Sequence, residues 1–197
     1  MKKAALSLVF SVAIAGVCAP VAAQIGYGYT GAQFLKAVRE GNGAKAAELA
    51  EAEGSTVINY RDPEGDAALH IVTRRRNYNW LGYLLSEGAD PNIADRDGDT
   101  PLIIASRLGF EEGASRLIAK GAQIDKQNKL GETALIAAVQ QRQANMVRLL
   151  LTAGANPNKT DRVGYTARDY AKRETRVPEL LRLIETVKPT GAAKLKL

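Results

Sequence analysis

The chain has 197 residues and carries 27 Lys and Arg against 21 Asp and Glu, a net charge of +6, with one His, one Cys and one Trp. This length suits a single domain, and one cysteine beside one histidine excludes both a disulfide framework and a soft-ligand metal site. Acids and bases are interleaved without a long single-sign run, so the basic balance points away from nucleic acid and toward an anionic membrane surface or an acidic partner.

At the N-terminus, Lys2 and Lys3 precede an uncharged run from Ala4 to Val17; Pro20 and the small residues Val21, Ala22 and Ala23 follow. This is the pattern of a secretory signal, with a mature start at Gln24. The run is too short for a membrane span, which needs about 20 apolar residues. A lipoprotein signal wants a small residue before its cysteine, but Val17 precedes Cys18. No twin arginine is present, so export as an unfolded chain is expected. Cleavage there removes Lys2, Lys3 and Cys18, and leaves a chain with no cysteine and a net charge of +4. The expected location is periplasmic or secreted, and the style of signal is bacterial. Stability there must come from stacked apolar surface rather than disulfides. Residues 24–30, with Tyr27 and Tyr29 among glycines, read as a flexible lead.

Residues 31–61 hold two helical patterns, FLKAVREGN and AAELAEAEG. Beyond them the chain repeats. Gly65, Gly98, Gly131 and Gly164 recur at one constant interval, and Gly88, Gly121 and Gly154 run in phase at the same interval. Gly-x-Thr-Pro-Leu stands intact at Gly98 to Leu102, and Leu-Leu-x-x-Gly-Ala-x-Pro-Asn occurs at Leu84 to Asn92 and again at Leu150 to Asn158. These units resemble ankyrin repeats. The resemblance implies an all-α solenoid of helix-turn-helix units, with about four 33-residue repeats and an N-terminal helical cap. Repeats are expected at 62–94, 95–127 and 128–160, a capping repeat at 161–188, and a mobile tail at 189–197.

The residue chemistry supports the same unit. Gly98 suits a turn that requires positive φ. Thr100 is an expected N-cap and Pro101 suits the first helical position. Ala105 and Ala138 allow close approach of neighbouring helices, and Gly121 and Gly154 end second helices. Ala67 stands where Thr100, Thr133 and Thr166 stand in other units, so one cap is missing. Arg76 and Arg142 occupy the place that Gly109 fills between helices, a strained position for a side chain. Arg168 and Asp169 put polar groups where other units have apolar ones, as a terminal cap would. Thr175 and Pro178 mark the start of the last helix.

No catalytic constellation emerges. His70 matches the histidine of the family's Thr-Pro-Leu-His motif, which implies a structural hydrogen bond. Asp95, Asp97 and Asp99 alternate, but no downstream glutamate completes a calcium loop. Gly26 and Gly28 do not open a phosphate-binding helix. Neither cofactor nor metal is expected, and the chain is read as a non-enzyme. Trp80, Tyr78 and Tyr83 read as core packing in the second helix, with an interface anchor as the alternative.

The family binds partners through turn tips and the exposed side of the first helix. By register, the turn candidates are Glu64, Asp66, Arg96, Asp97, Asp99, Lys129, Leu130, Glu132, Arg162 and Tyr165. The first-helix candidates are Arg74, Arg75, Arg107, Leu108, Gln140, Gln141 and Arg173. This places acidic tips early in the array beside a basic strip of Arg74, Arg75 and Arg107. The expected function is a monomeric adaptor in the cell envelope; the alternative is a helper or inhibitor of an exported enzyme or toxin.

Overall fold

The computed structural model of the chain describes residues 21–52 and 55–188. Residues 1–20, which hold most of the expected signal segment with Cys18, and the tail at 189–197 lie outside the described residues. Among the described residues, ten α-helices follow one another in pairs. They are α1 (Val21–Glu40) with α2 (Gly43–Glu51), α3 (Ala68–Arg74) with α4 (Tyr78–Ser86), α5 (Pro101–Leu108) with α6 (Glu111–Ala119), α7 (Ala134–Gln140) with α8 (Ala144–Thr152), and α9 (Ala167–Arg173) with α10 (Glu179–Thr186). A 3-10 turn lies at Val57–Asn59. First helices pack on first helices, α1 on α3, then α3 on α5, α5 on α7 and α7 on α9; second helices stack likewise from α4 to α10. The result is an all-α solenoid.

Where the sequence supplies a threonine, the first helix of a unit starts at its cap. Thr100 and Thr133 accept from the backbone N–H of Ile103 and Ile136, and Thr166 accepts from Asp169 N–H. Pro101 takes the first turn of α5. Ala67 holds the same cap position on α3 with no side-chain oxygen to offer. In the last unit Asp169 completes the cap by accepting from the backbone N–H and the hydroxyl of Thr166. The polar residue expected there therefore acts on its own helix start. Arg76 and Arg142 adopt φ of 54° and 58°, beside 63° at Gly109, so the expected left-handed positions are occupied by arginine.

The core follows the same register. Leu69, Leu102 and Leu135 are fully buried, as are Leu84, Leu117 and Leu150. Ala105 and Ala138 are also fully buried, where a larger side chain would push first helices apart. Between units the turns are joined through backbone. Arg96, Lys129 and Arg162 N–H groups donate to the carbonyls of Glu64, Asp97 and Leu130 at 3.2, 3.0 and 2.8 Å. Gly65, Gly98 and Gly131 lie so close to the next turn that an added Cβ would come within 2.5, 2.9 and 2.7 Å of its backbone nitrogen. At Gly164, after which no further turn stacks, a Cβ would meet nothing.

A second staple runs along the opposite loops. Asn59 Oδ1 accepts from Asp90 N–H and Asn92 Oδ1 from Gln123 N–H, while Asp125 Oδ1 accepts from Asn156 N–H. These three acceptors are again one repeat apart. The segment 24–30 is not the expected flexible lead: α1 runs through it from Val21 to Glu40. No proline interrupts this stretch after Pro20, so its two glycines lower helix propensity without breaking the helix.

Candidate functional site

The turns and first helices form one face, on which side chains sort into two kinds. Those closest to the helices are consumed by internal bonding. Those at the outer ends of the turns are not.

Asp99 and Glu132 are buried, against the expectation that both would be displayed. Arg107 draws them in. Its guanidinium pairs with both carboxylates, with Nη2 at 3.1 Å from Asp99 Oδ1 and the remaining contacts to Asp99 Oδ2 and Glu132 Oε2. Asn128 Nδ2 lies between the acids and donates to Asp99 Oδ1 at 2.7 Å and Glu132 Oε2 at 3.1 Å. Burial alone would lower the Arg107 pKa; its bonds to Asp99 and Glu132 outweigh that and raise it. Asn128 occupies a position that is Asp62, Asp95 and Asp161 in the other units. A carboxylate there would place a third negative charge against two buried ones. The amide instead donates to both and keeps the turn-forming acceptor, with Oδ1 accepting from Leu130 and Glu132 N–H.

The first unit repeats the pattern more openly. Arg74 bridges Asp66 at 2.5 Å and Asp95 at 2.9 Å. Arg75 donates to the carbonyls of Val38 and Arg39, capping the C-terminal end of α1, where a cation is favoured. The expected basic strip is therefore a row of struts. Arg74 and Arg107 tie one turn to the next, and Arg75 ties the first repeat to the N-terminal helix.

His70 is fully buried and serves the same purpose. The Ala67 N–H donates to its Nδ1 at 3.0 Å, and Nε2 lies 3.2 Å from the carbonyls of Ile93 and Asp99, to which it donates. Burial holds its pKa below the ordinary 6.5. Both ring nitrogens are thus engaged with backbone, and neither is presented to solvent.

The outer turn positions differ along the array. Glu64 and Asp97 are exposed acids early in the chain; Arg96 is exposed but donates to the Pro63 carbonyl. The later tips are Lys129 with Leu130, 63% exposed, and Arg162 with Val163, 76% exposed. Among the described residues no hydrogen bond or ion pair engages the Lys129 or Arg162 side chains. Val163 is not among the candidates read from sequence, although it stands one repeat beyond Leu130. Leu108, expected to be exposed, is 38% exposed. Gln140 and Gln141 are exposed. Arg173 lies over the Tyr165 ring at 4.5 Å, and Tyr165 meets Tyr170 edge-on at 5.7 Å. Beside them, Val139, Gln140, Tyr170, Arg173 and Glu174 line an open cleft.

Trp80 is half-buried and packs edge-on against Tyr83 at 5.0 Å. Partial burial and a hydrogen bond to Glu51 push the Tyr83 phenol up to about 12. Tyr78 is exposed and carries Arg116 over its ring at 4.3 Å. A partly open cavity beside Trp80, lined also by Val38, Ala46, Val72 and Arg75, measures about 70 Å³, while larger but shallower clefts lie open to solvent elsewhere. Small-molecule sites usually need about 300 Å³ or more. Among the described residues, no group of three or more His, Cys, Asp or Glu is placed to hold a metal, and no helix is long and apolar enough to cross a membrane.

A family model described as ankyrin repeats (3 copies) matches residues 34–128, 69–161 and 114–185. These matches overlap to span most of the chain. The chain belongs to the ankyrin-repeat family. No curated protein matches it. Ankyrin repeats are protein–protein interaction modules and generally carry no catalysis. That general role agrees with a face whose inner polar groups are consumed by bonding between units and whose outer tips, Arg96 apart, carry charged side chains without such bonds among the described residues.

Proposed function

We propose that this ankyrin-repeat chain is a non-enzymatic adaptor of a bacterial cell envelope, periplasmic or secreted, that binds another protein non-covalently through its turn tips. The observation that carries this reading is the row of outer turn positions. Backbone bonds from Arg96, Lys129 and Arg162 to the preceding turn align the tips into one continuous edge. That edge holds exposed Leu130 and Val163 between cations unpaired among the described residues. Inward of it, the groups that resemble catalytic ones are committed to structure: His70 to three backbone groups, Asp99 and Glu132 to Arg107 and Asn128.

The envelope location rests on Lys2, Lys3, the uncharged run to Val17 and the small residues before Gln24. Cell fractionation with N-terminal sequencing tests it: the expected product begins at Gln24 in the envelope or the medium, and an uncut chain in the cytosol contradicts it. Affinity capture from the envelope fraction, followed by mass spectrometry, tests the adaptor reading. A stoichiometric protein partner is expected. If that partner is an exported enzyme or toxin whose activity the chain alters, the helper or inhibitor reading replaces the simple adaptor. Turnover of a small substrate by the isolated chain would overturn both.

A further inference from the structure

The two halves of the tip edge are chemically unlike. In the first two repeats each tip carries an acid, Glu64 or Asp97, and Arg96 is tied to the Pro63 carbonyl. In the third repeat and the capping unit, no acid remains at the tips. Lys129 and Arg162 are exposed without a partner among the described residues, and each is followed by an exposed aliphatic side chain, Leu130 or Val163. The carboxylates that could have neutralised these cations face elsewhere: Glu132 is bonded to Arg107 and Asp161 to Tyr170. Arg162 N–H donates to the Leu130 carbonyl, so both cation–aliphatic pairs sit on stacked, backbone-joined turns. Inward lies a third cation, Arg173, over the Tyr165 ring at the rim of an open cleft.

We infer that the C-terminal half of the edge binds an extended acidic protein segment that carries aliphatic side chains between its carboxylates. The inference rests on the protein-interaction reading above and names the partner's chemistry. Unpaired cations attract carboxylates and set the approach. Leu130 and Val163, exposed on adjacent backbone-joined turns, supply the apolar contact that makes the complex last, since burying them against a partner removes apolar surface from water. The early half, with Glu64 and Asp97, repels such a segment and confines it to the later units. An anionic membrane offers the same charge, but two tip cations make a small basic patch, and the open cleft beside Arg173 suits an inserted side chain better than a flat lipid surface.

The test is selection of a displayed peptide library on the full chain, with phosphatidylglycerol vesicles as a second probe. The expected result is enrichment of acidic, aliphatic-containing peptides. Their affinity should fall at least about tenfold, the loss of about 1.4 kcal/mol of contact, in a Leu130→Ser, Val163→Ser variant. A Lys129→Glu, Arg162→Glu variant should lose acidic peptides and select basic ones. These positions are exposed, and circular dichroism and thermal midpoints should match the parent chain. Acidic peptides that bind both variants unchanged, or that are lost only when Glu64, Arg96 and Asp97 are replaced, overturn this site and leave the interaction module standing. Basic or neutral peptides on the parent chain overturn the partner chemistry. Binding to vesicles with no peptide enriched overturns both this inference and the protein-binding reading.

Discussion

Single residues in this array show which side chains hold the stack and which are free. Ala67 opens α3 without a cap, while its N–H is already held by His70. Thr100 and Thr133 are accommodated at equivalent buried sites, so Ala67→Thr should fit and gain about 1 kcal/mol, read as a raised thermal midpoint. An unchanged or lower midpoint would mean that His70 leaves no room for the hydroxyl. Asn128→Asp should cost about 2 kcal/mol or more in urea denaturation, because it removes a donor to two buried carboxylates and adds a third charge. Arg107→Ser should cost a similar amount, about 2 kcal/mol, and Arg74→Ser less, because the Arg74 pairs are more exposed. Replacing these arginines therefore reports on stability before it reports on binding. His70 sets a pH dependence. Its folded pKa lies below 6.5, so the folded chain binds fewer protons than the unfolded one. Its contribution is complete above the unfolded value and is lost as pH falls from about 6.5 toward the folded pKa. Denaturation midpoints followed downward from about pH 7.5, above the ordinary histidine range, should show that loss, and a His70→Gln variant should lack it.

Elements repeat the same solution with local variation, and the sequence predicts the common parts best. The two glycine series locate the turns that open the four repeats and the ends of α4, α6 and α8, all with positive φ: Gly65, Gly98, Gly131 and Gly164 in one, and Gly88, Gly121 and Gly154 in the other. They are not equivalent in packing. A Cβ on Gly121 meets nothing, whereas one on Gly98 meets the Lys129 nitrogen at 2.9 Å. Gly121→Ala should cost only the left-handed backbone penalty, about 1–2 kcal/mol. Gly98→Ala should cost about 1–3 kcal/mol more, because the stacked turn must move. Equal costs would show that the turns are not in rigid contact. Helix starts, Arg76 and Arg142 in left-handed backbone, the buried Ala105 and Ala138, and the structural histidine were all legible, because each depends on residues close in sequence or on the shared register. The fate of Asp99 and Glu132 was not. Register assigns them to the turn, but whether an acid points outward depends on a partner eight or 25 residues away, here Arg107. The Asn59, Asn92 and Asp125 staple carried a periodic signal, though its bonds join loops far apart in sequence. Residues 24–30 misled through their glycines, which lower helix propensity without preventing a long helix.

As a whole, the molecule is a stack held by bonds between neighbouring units, with its surface chemistry graded along the axis. Each repeat lends an arginine to the next unit and receives a backbone N–H from it, so charge on the turn and first-helix face that looks free in the sequence is largely neutralised before a partner arrives. What remains free on that face is the tip edge, mixed in charge at the N-terminal end and basic-aliphatic at the C-terminal end. Crosslinking mass spectrometry of the full chain in its own cells, with an amine-reactive reagent, reads this directly, since Lys129 sits on that edge while Lys45 and Lys120 belong to α2 and the end of α6. The account predicts crosslinks from Lys129 to one other protein, lost when Leu130 and Val163 are changed to serine. Crosslinks to a partner through Lys45 or Lys120 with Lys129 unmarked, or none to any other protein, would contradict it.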